Sequence, residues 1–377
     1  MKLIKAPLSL GFWSLLPMLR LRPILALALG FSISLFLLSG CDTTSSAERK
    51  AEQARREAEE GRMRAALLGR VHDAEAAVWQ ILHPLIQKAA NYRSEETHGY
   101  IGAAFVTEAF YGEAFVEEAR AEGFGPWVTV LTVFPDSPAE SAGLRAGDRL
   151  LEINGDKVPQ GSRSALFAAR QVKRRLEPGG PNQLVVQRGS EVIELEVQPV
   201  EGAYYGVVVV ASNAVDLQVD GDVIWIGLSL VESLKSEKDL SFLCAYALAK
   251  NVMRHSKQKG KNAMLGQLLD VAAAAGGVNT GGLFGGMGGN AYSHAFEVEA
   301  DLIALYLLAS SGYEIDGYPE FWDKVLRGRD RKGELTAKEF ERIETASKVI
   351  ASIEAKQEAG APVFPEEYLQ GDVSEIE

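Results

Sequence analysis

The chain has 377 residues, of which 47% are hydrophobic and 24% charged, a balance typical of a globular protein with a substantial apolar core. Its formal net charge of −12 argues against nucleic acid as a partner, because binding to a phosphate backbone requires a basic patch. Length alone allows two or three domains.

The N-terminus has the order of a secretory signal. Four basic residues between Lys2 and Arg22 precede an apolar run from Pro23 to Leu38, and small residues then lead into Cys41. The run has 16 residues, fewer than the roughly 20 that a membrane-spanning helix needs. A small residue directly before Cys41 resembles the bacterial lipobox. This resemblance implies that residues 1–40 are a signal peptide and that Cys41 is lipidated.

A lipid on Cys41 would attach the chain to a membrane of the bacterial cell envelope, with the protein on the periplasmic face. Asp42 follows the cysteine and resembles an inner-membrane retention signal, which favours the inner membrane. Residues 41–62 are predicted to be a tether and stalk. Residues 63–98 become more apolar and are predicted to form a helix that packs on a folded domain.

The segment from Phe134 to Gly155 reads FPDSPAESAGLRAGDRLLEING. It indicates a short helix, a turn and a strand, and Asn154-Gly155 favours a tight hairpin turn. A helix predicted over Ser164–Leu176 ends at Pro178-Gly179-Gly180, and two alternating strands follow. This pattern resembles the signature of bacterial PDZ modules, which we expect to occupy residues 99–200.

PDZ domains take up an extended peptide as an added strand and hold its C-terminal carboxylate on backbone N–H groups. The resemblance assigns the carboxylate loop to Gly99, Tyr100, Ile101 and Gly102, and the second wall of the groove to the helix over Ser164–Leu176. Extended peptides and protein C-termini are therefore the expected partners. The alternative is a PDZ module that only packs against its neighbour.

A second resemblance extends over residues 201–356. Its blocks are apolar strands, two long helices and the segments beyond them: Val207–Val210, Asp222–Ile226, Leu240–His255, Phe296–Asp301 and Gly312–Asp316. Together they resemble the catalytic domain of the zinc metallopeptidases that include the CAAX prenyl proteases and the HtpX-like and BepA-like enzymes. The resemblance implies a mainly helical, zincin-like domain with a small sheet.

In that family the first long helix carries His-Glu-x-x-His, whose two His bind zinc while the Glu activates the bound water. Tyr246, Ala247 and Lys250 stand at those three positions. Glu297 resembles the third zinc ligand, and Asp301 a residue that supports the ligands. Because one carboxylate does not hold zinc selectively and the general base is missing, neither catalysis nor a cofactor is expected.

The sequence also leaves alternatives open at this site. Lys250 is predicted to form an ion pair with Glu297, with Tyr246 hydrogen-bonded beside it, or else to extend into solvent while Glu297 pairs elsewhere. His294, three residues before Glu297, is a candidate replacement ligand. Zinc would then be the cofactor of a metalloendopeptidase with unusual ligands that takes part in envelope proteolysis.

The expected architecture is α+β: a stalk helix, a PDZ domain built as a small β-barrel with two helices, and the zincin-like domain. A disordered acidic tail is predicted over residues 357–377. The function expected is that of a lipid-anchored pseudoprotease that binds peptides as a regulator, scaffold or chaperone, with an active paralogous protease as a candidate partner. A plain PDZ adaptor is the remaining alternative.

Overall fold

The computed structural model describes residues 46–92, 98–161, 167–202, 205–211, 217–219, 221, 223–257, 289–329 and 331–365, without the side chains of 254–257, 289–293, 295 and 329. The chain divides into two units, 1–53 and 54–377, and only residues 46–53 of the first are described, as helix. The signal segment, Cys41 and Asp42 lie outside the described residues. Within the described part, no helix is long and apolar enough to cross a membrane.

One continuous helix, α1, extends over Ser46–Ala89. The stalk and the packing helix, predicted as separate segments that meet at residue 62, are therefore parts of one element. Residues 46–60 are exposed, and burial begins at Leu68. From there apolar residues recur every three or four positions, which is the period that buries one face of a helix.

Seven strands and three α-helices lie in the described residues of the PDZ region. The strands are β1 (His98–Tyr100), β2 (Ala103–Val106), β3 (Thr129–Val133), β4 (Arg149–Ile153), β5 (Asp156–Lys157), β6 (Asn182–Arg188) and β7 (Glu191–Val197). The helices are α2 (Val116–Ala121), α3 (Pro138–Ser141) and α4 (Phe167–Lys173). Strands β2-β3-β4-β6-β7 form an antiparallel sheet in that order, with β5 paired to β4.

Local sequence explains the turns of this region. Asn154 and Gly155 both have positive φ, 51° and 81°, as a two-residue hairpin turn requires. Ser137 caps α3 by accepting the Glu140 N–H at 3.1 Å. Helix α4 ends at Lys173, three residues before the predicted end at Leu176, and the predicted start at Ser164 lies outside the described residues.

In its described residues, the C-terminal region has a three-stranded sheet and five α-helices. Its strands are β9 (Gly206–Val210), β10 (Leu217–Val219) and β11 (Val223–Gly227); β8 (Val200–Gly202) pairs with β1. The helices are α5 (Leu228–Ser233), α6 (Glu237–Lys257), α7 (Gly289–Ser310), α8 (Tyr318–Arg329) and α9 (Ala337–Glu358). Strand β11 lies between β9, to which it is parallel, and β10, to which it is antiparallel.

Two large apolar cores and a small third cluster around Phe110 organise the described elements. The smaller core lies within the PDZ region and includes Ile153 and Val186. The larger core joins α1, the three-stranded sheet and helices α6 to α9, through buried residues such as Leu82, Leu248 and Leu305. The prediction of a mixed α+β fold with a PDZ-like region is confirmed.

Residues 357–365, the first part of the predicted disordered tail, belong to the described structure. Helix α9 continues to Glu358, and the Phe364 ring lies 4.7 Å from the Tyr92 ring. The Lys356 Nζ donates to the Phe364 carbonyl at 2.9 Å. Burial of an aromatic ring against α1's end offsets the cost of ordering this segment, which composition alone did not indicate. Residues 366–377 lie outside the described residues.

A buried carboxyl connects α1 to the C-terminal sheet. Glu75 is 1% exposed, and its Oε1 lies 3.5 Å from the Val209 N–H, on β9. The Tyr111 hydroxyl donates to its Oε2 at 3.3 Å. Burial raises the pKa of Glu75 to about 8, because the charged form is costly away from water and these two hydrogen bonds only partly compensate.

Candidate functional site

Strand β2 is the end strand of the PDZ sheet. It pairs with β3 on one side, and in the described part of the chain no strand pairs with its other edge. Helix α4 packs against β2. An end strand beside a helix is the arrangement into which an extended peptide adds as a further strand.

Apolar side chains from both elements meet beneath this edge. The strand side supplies Ile101, Ala103 and Phe105, and the helix side supplies Ala168, Val172 and Leu176. Each of the six is at most 4% exposed. The floor of the groove is therefore apolar, which suits an apolar ligand side chain.

The loop before β2 is held firmly from one side. The Ile101 carbonyl accepts the Ala139 N–H at 2.8 Å, and the Gly102 carbonyl accepts the Phe134 N–H at 2.9 Å. Gly102 has φ 73°, and a Cβ built there would lie 2.4 Å from the Ser137 Cβ. Among the described residues, neither the Ile101 nor the Gly102 N–H donates a hydrogen bond. These two donors are suited to bind a carboxylate.

The four residues predicted to hold a carboxylate have different positions. Ile101 and Gly102 lie directly before β2, whereas Gly99 and Tyr100 belong to β1 and pair with Glu201 and Val200. The Tyr100 hydroxyl lies 2.7 Å from the Nδ1 of His83, on α1. Gly99 and Tyr100 thus attach the loop to α1 and β8.

The degenerate motif lies on α6 and faces α7. The Lys250 Nζ is 2.9 Å from Glu297 Oε1, so the ion pair predicted between them is present. The Tyr246 hydroxyl donates to Glu297 Oε2, and the Lys250 Nζ lies 3.3 Å from the Tyr246 oxygen. The side chains of Lys250 and Glu297 are 27% and 29% exposed, because they line a cavity of about 1020 Å³.

A second, fully buried pair lies behind the first. Asp301 accepts two hydrogen bonds from Arg342, at 2.5 Å and 2.8 Å, and a third from the Tyr318 hydroxyl at 2.8 Å. The Arg342 Nη1 also lies 3.6 Å from Glu297. Burial by itself lowers the pKa of Arg342, but Asp301 more than offsets it, so the net pKa is raised. Arg342 is therefore charged.

Aromatic rings enclose this guanidinium. The Arg342 Cζ lies 4.2 Å from the Trp322 ring centroid and 4.9 Å from that of Tyr246. The two rings meet edge to face with centroids 4.6 Å apart. Cation–π contacts of this kind stabilise a charge that has left water. Arg342 therefore connects α7, α8 and α9 to the motif helix.

These side chains do not fit a zinc site. The Lys250 ammonium has no lone pair, and the Tyr246 hydroxyl is used as a donor to the one carboxylate that resembles a ligand. Ala247 is fully buried and supplies no base. The His294 Nε2 lies 3.3 Å from Glu341. In the described residues no three His, Cys, Asp or Glu side chains are grouped for metal binding.

Sequence reasoning named Asp301 but missed its partners. Tyr318 and Trp322 come from α8, and Arg342 from α9, so only tertiary structure brings them together. The signal available in the sequence was the position of Arg342, which shares the apolar face of α9 with Ala346 and Val349. Thr336 caps α9 in a capping box with Glu339.

Replacing Lys250 with methionine should lower the free energy of unfolding by roughly 1–2 kcal/mol, a value between those of exposed and buried pairs. The reason is that Glu297 loses its nearest cation while retaining Tyr246. Urea unfolding measures the change. Lys348→Met, which breaks an exposed pair with Glu344, is the control. Equal stability of Lys250→Met and the wild type would exclude a stabilising ion pair.

The chain was compared with known proteins. Residues 129–181 match the family model of the PDZ domain. A 72-residue segment is 36% identical to the "Serine protease HTRA1" of Xenopus laevis, covering 19% of this chain and 14% of that protein. An 86-residue segment is 33% identical to a Clostridium perfringens protein named "Putative zinc metalloprotease", covering 23% and 24%. The chain thus spans at most about a quarter of either relative.

Parts of two solved structures are also similar to a part of this chain. The HtrA3 PDZ domain, bound to a phage-derived ligand, is 20% identical with a TM-score of 0.22, covering 28% of this chain and 87% of that one. The HtrA-type protease AlgW with a decapeptide is 23% identical with a TM-score of 0.21, covering 28% and 30%. The family match and the sheet order together define the region around residues 129–181 as a PDZ domain.

Proposed function

We propose that this protein is a lipid-anchored, peptide-binding protein of the bacterial envelope, in which a PDZ groove captures protein C-termini and a peptidase-like domain has no zinc chemistry. One observation carries the proposal: among the described residues, no strand pairs with the outer edge of β2, which α4 flanks and which begins after two N–H groups that donate no hydrogen bond there. Regulation, scaffolding or chaperoning of envelope proteins would follow from such binding.

Each part of the groove has a role in this proposal. A ligand strand adds to the edge of β2 through backbone hydrogen bonds. The carboxylate of the ligand accepts hydrogen bonds from the N–H groups of Ile101 and Gly102. The last side chain of the ligand packs on the apolar floor of the groove near Val172. Burying that side chain and engaging the charged carboxylate provide affinity and select a chain end over an internal segment.

The cleft on α6 supports a role other than hydrolysis. By the sequence resemblance, Tyr246, Lys250 and Glu297 stand at zinc-ligand positions, and their side chains bind one another instead. A positive side chain there repels a divalent cation, and the position of the general base holds Ala247. The zincin-like assignment itself rests on the order of the sequence blocks.

Cys41 is the proposed lipidation site, and a Cys41→Ser variant tests it. The wild type should fractionate with membranes and incorporate labelled palmitate, whereas the variant should do neither. Wild-type protein that remains in the soluble fraction without label would contradict the anchor.

Gly102→Ala should weaken peptide binding at least about tenfold, because the left-handed backbone and the close Ser137 Cβ force the loop away from the carboxylate. Titration of the full chain with a fluorescent peptide ending in Leu-Val measures this. Gly180→Ala is the matched control, since a Cβ there meets nothing within 4 Å. An amidated peptide that binds as well as the free acid would contradict C-terminal capture.

A further inference from the structure

The wall of the PDZ groove has a charge opposite to that of the whole protein. Between Asp156 and Glu177 the sequence holds six Lys and Arg residues and no Asp or Glu, in a chain with net charge −12. Helix α4 lies in this stretch, at Phe167–Lys173. A local excess of cations in an acidic protein gives this surface a distinct electrostatic preference.

The orientation of α4 is given by its contacts. Ala168 and Val172 are buried in the PDZ core, and Ala169 and Lys173, on the adjacent face of the helix, are partly buried. Arg170 and Arg174 are exposed next to that face. Within the described residues neither forms an ion pair. Arg175, in contrast, is hydrogen-bonded to Gln171.

The direction of α4 along the groove is also fixed. A Cβ built on Gly99 would lie 3.2 Å from the Leu176 Cβ, so the segment that follows α4 lies beside the carboxylate loop. Arg170 is therefore further from the loop than Arg174, by about 6 Å at 1.5 Å per helical residue. That distance corresponds to about two residues of an extended ligand.

We propose that the groove selects C-termini in which acidic residues precede an apolar last residue. This inference rests on the proposed function, since it concerns the same groove. Acidic side chains two to four positions before the carboxylate would lie along the cationic face formed by Arg170, Lys173 and Arg174. Electrostatic complementarity of this kind selects partners and accelerates association, and it weakens as salt increases.

Two labelled peptides of equal length test the inference with the full chain. Both end in Leu-Val with a free carboxylate; one has Asp-Glu-Asp before that end and the other has Asn-Gln-Asn. The acidic peptide should bind about tenfold more tightly at low salt, and the difference should shrink at about 0.5 M salt. The double variant Arg170→Gln, Arg174→Gln should lose most of the difference. Arg55→Gln, Arg62→Gln removes two exposed cations on α1 and should keep it.

The outcomes separate this inference from the proposed function. Equal binding of the two peptides would overturn the acidic preference and leave C-terminal capture intact. Binding of neither peptide would overturn both. Equal peptide binding together with sedimentation on phosphatidylglycerol vesicles that requires Arg170 and Arg174 would assign the cationic face to a lipid surface and would also overturn the inference.

Discussion

Replacing Arg342 with methionine should lower the free energy of unfolding by about 3–5 kcal/mol, the range measured when one partner of a buried ion pair is removed. Asp301 would be left 2% exposed, with the hydrogen bond from the Tyr318 hydroxyl still in place. Methionine retains much of the side-chain volume, so the loss would report charge rather than a cavity. Chemical denaturation at neutral pH measures it.

Two further variants make this result interpretable. Arg327→Met breaks an exposed pair with Asp323 and should change stability by no more than about 0.5 kcal/mol. The double variant Asp301→Leu, Arg342→Met should regain much of the loss, because no buried charge is then unpaired. A double variant as unstable as the sum of the single variants would contradict a direct coupling between Asp301 and Arg342.

Glu75→Gln should raise the free energy of unfolding at alkaline pH. The variant should also lack the pH dependence of stability that Glu75 gives the wild type. The pKa of Glu75 is raised from 4.5 to about 8, so its contribution to stability is fully present below about pH 4.5 and is lost as the pH rises through 8. This shift corresponds to about 3–5 kcal/mol over that range. Glutamine, like the protonated carboxyl, offers one acceptor and one donor to Val209 and Tyr111.

Denaturation of the two proteins between pH 5 and pH 9 gives the test. The difference in unfolding free energy, variant minus wild type, should grow as the pH rises towards about 8 and should then level off. Glu194→Gln, at an exposed position on β7, is the control and should follow the wild type. A difference that does not depend on pH would mean that Glu75 titrates normally in the folded protein.

Much of the PDZ region could be predicted because its turns and caps are local. Asn154-Gly155 adopts the two positive φ angles that a hairpin turn requires. Ser137 caps α3 by accepting a hydrogen bond from the backbone N–H of Glu140, three residues later in the chain. The motif helix was also predictable, since Ser236 accepts the Asp239 N–H at 3.0 Å before an apolar run. The Lys250–Glu297 pair was one of two alternatives that the sequence offered, because Lys250 stands at the position of a zinc ligand and Glu297 at that of another.

Other contacts depend on tertiary packing and left no local signal. His83 meets Tyr100 from a helix that the sequence places before the PDZ domain. Phe364 packs on Tyr92 although its neighbours are typical of a disordered tail. The position of Arg342 on the apolar face of α9 indicates that it is buried, but Asp301 lies 41 residues earlier in the chain, and only the packing of α9 against α7 brings the two together. Sequence periodicity specifies which face of a helix is buried but not what that face meets.

The central claim is that an ion pair stands where the resembled peptidases hold zinc. The measurement that tests it most directly is the zinc content of the full chain purified without chelators, determined by mass spectrometry of the metal. The account predicts far less than one zinc ion per chain, with no change on supplementing the growth medium. One zinc ion per chain that disappears in Glu297→Ala would contradict it.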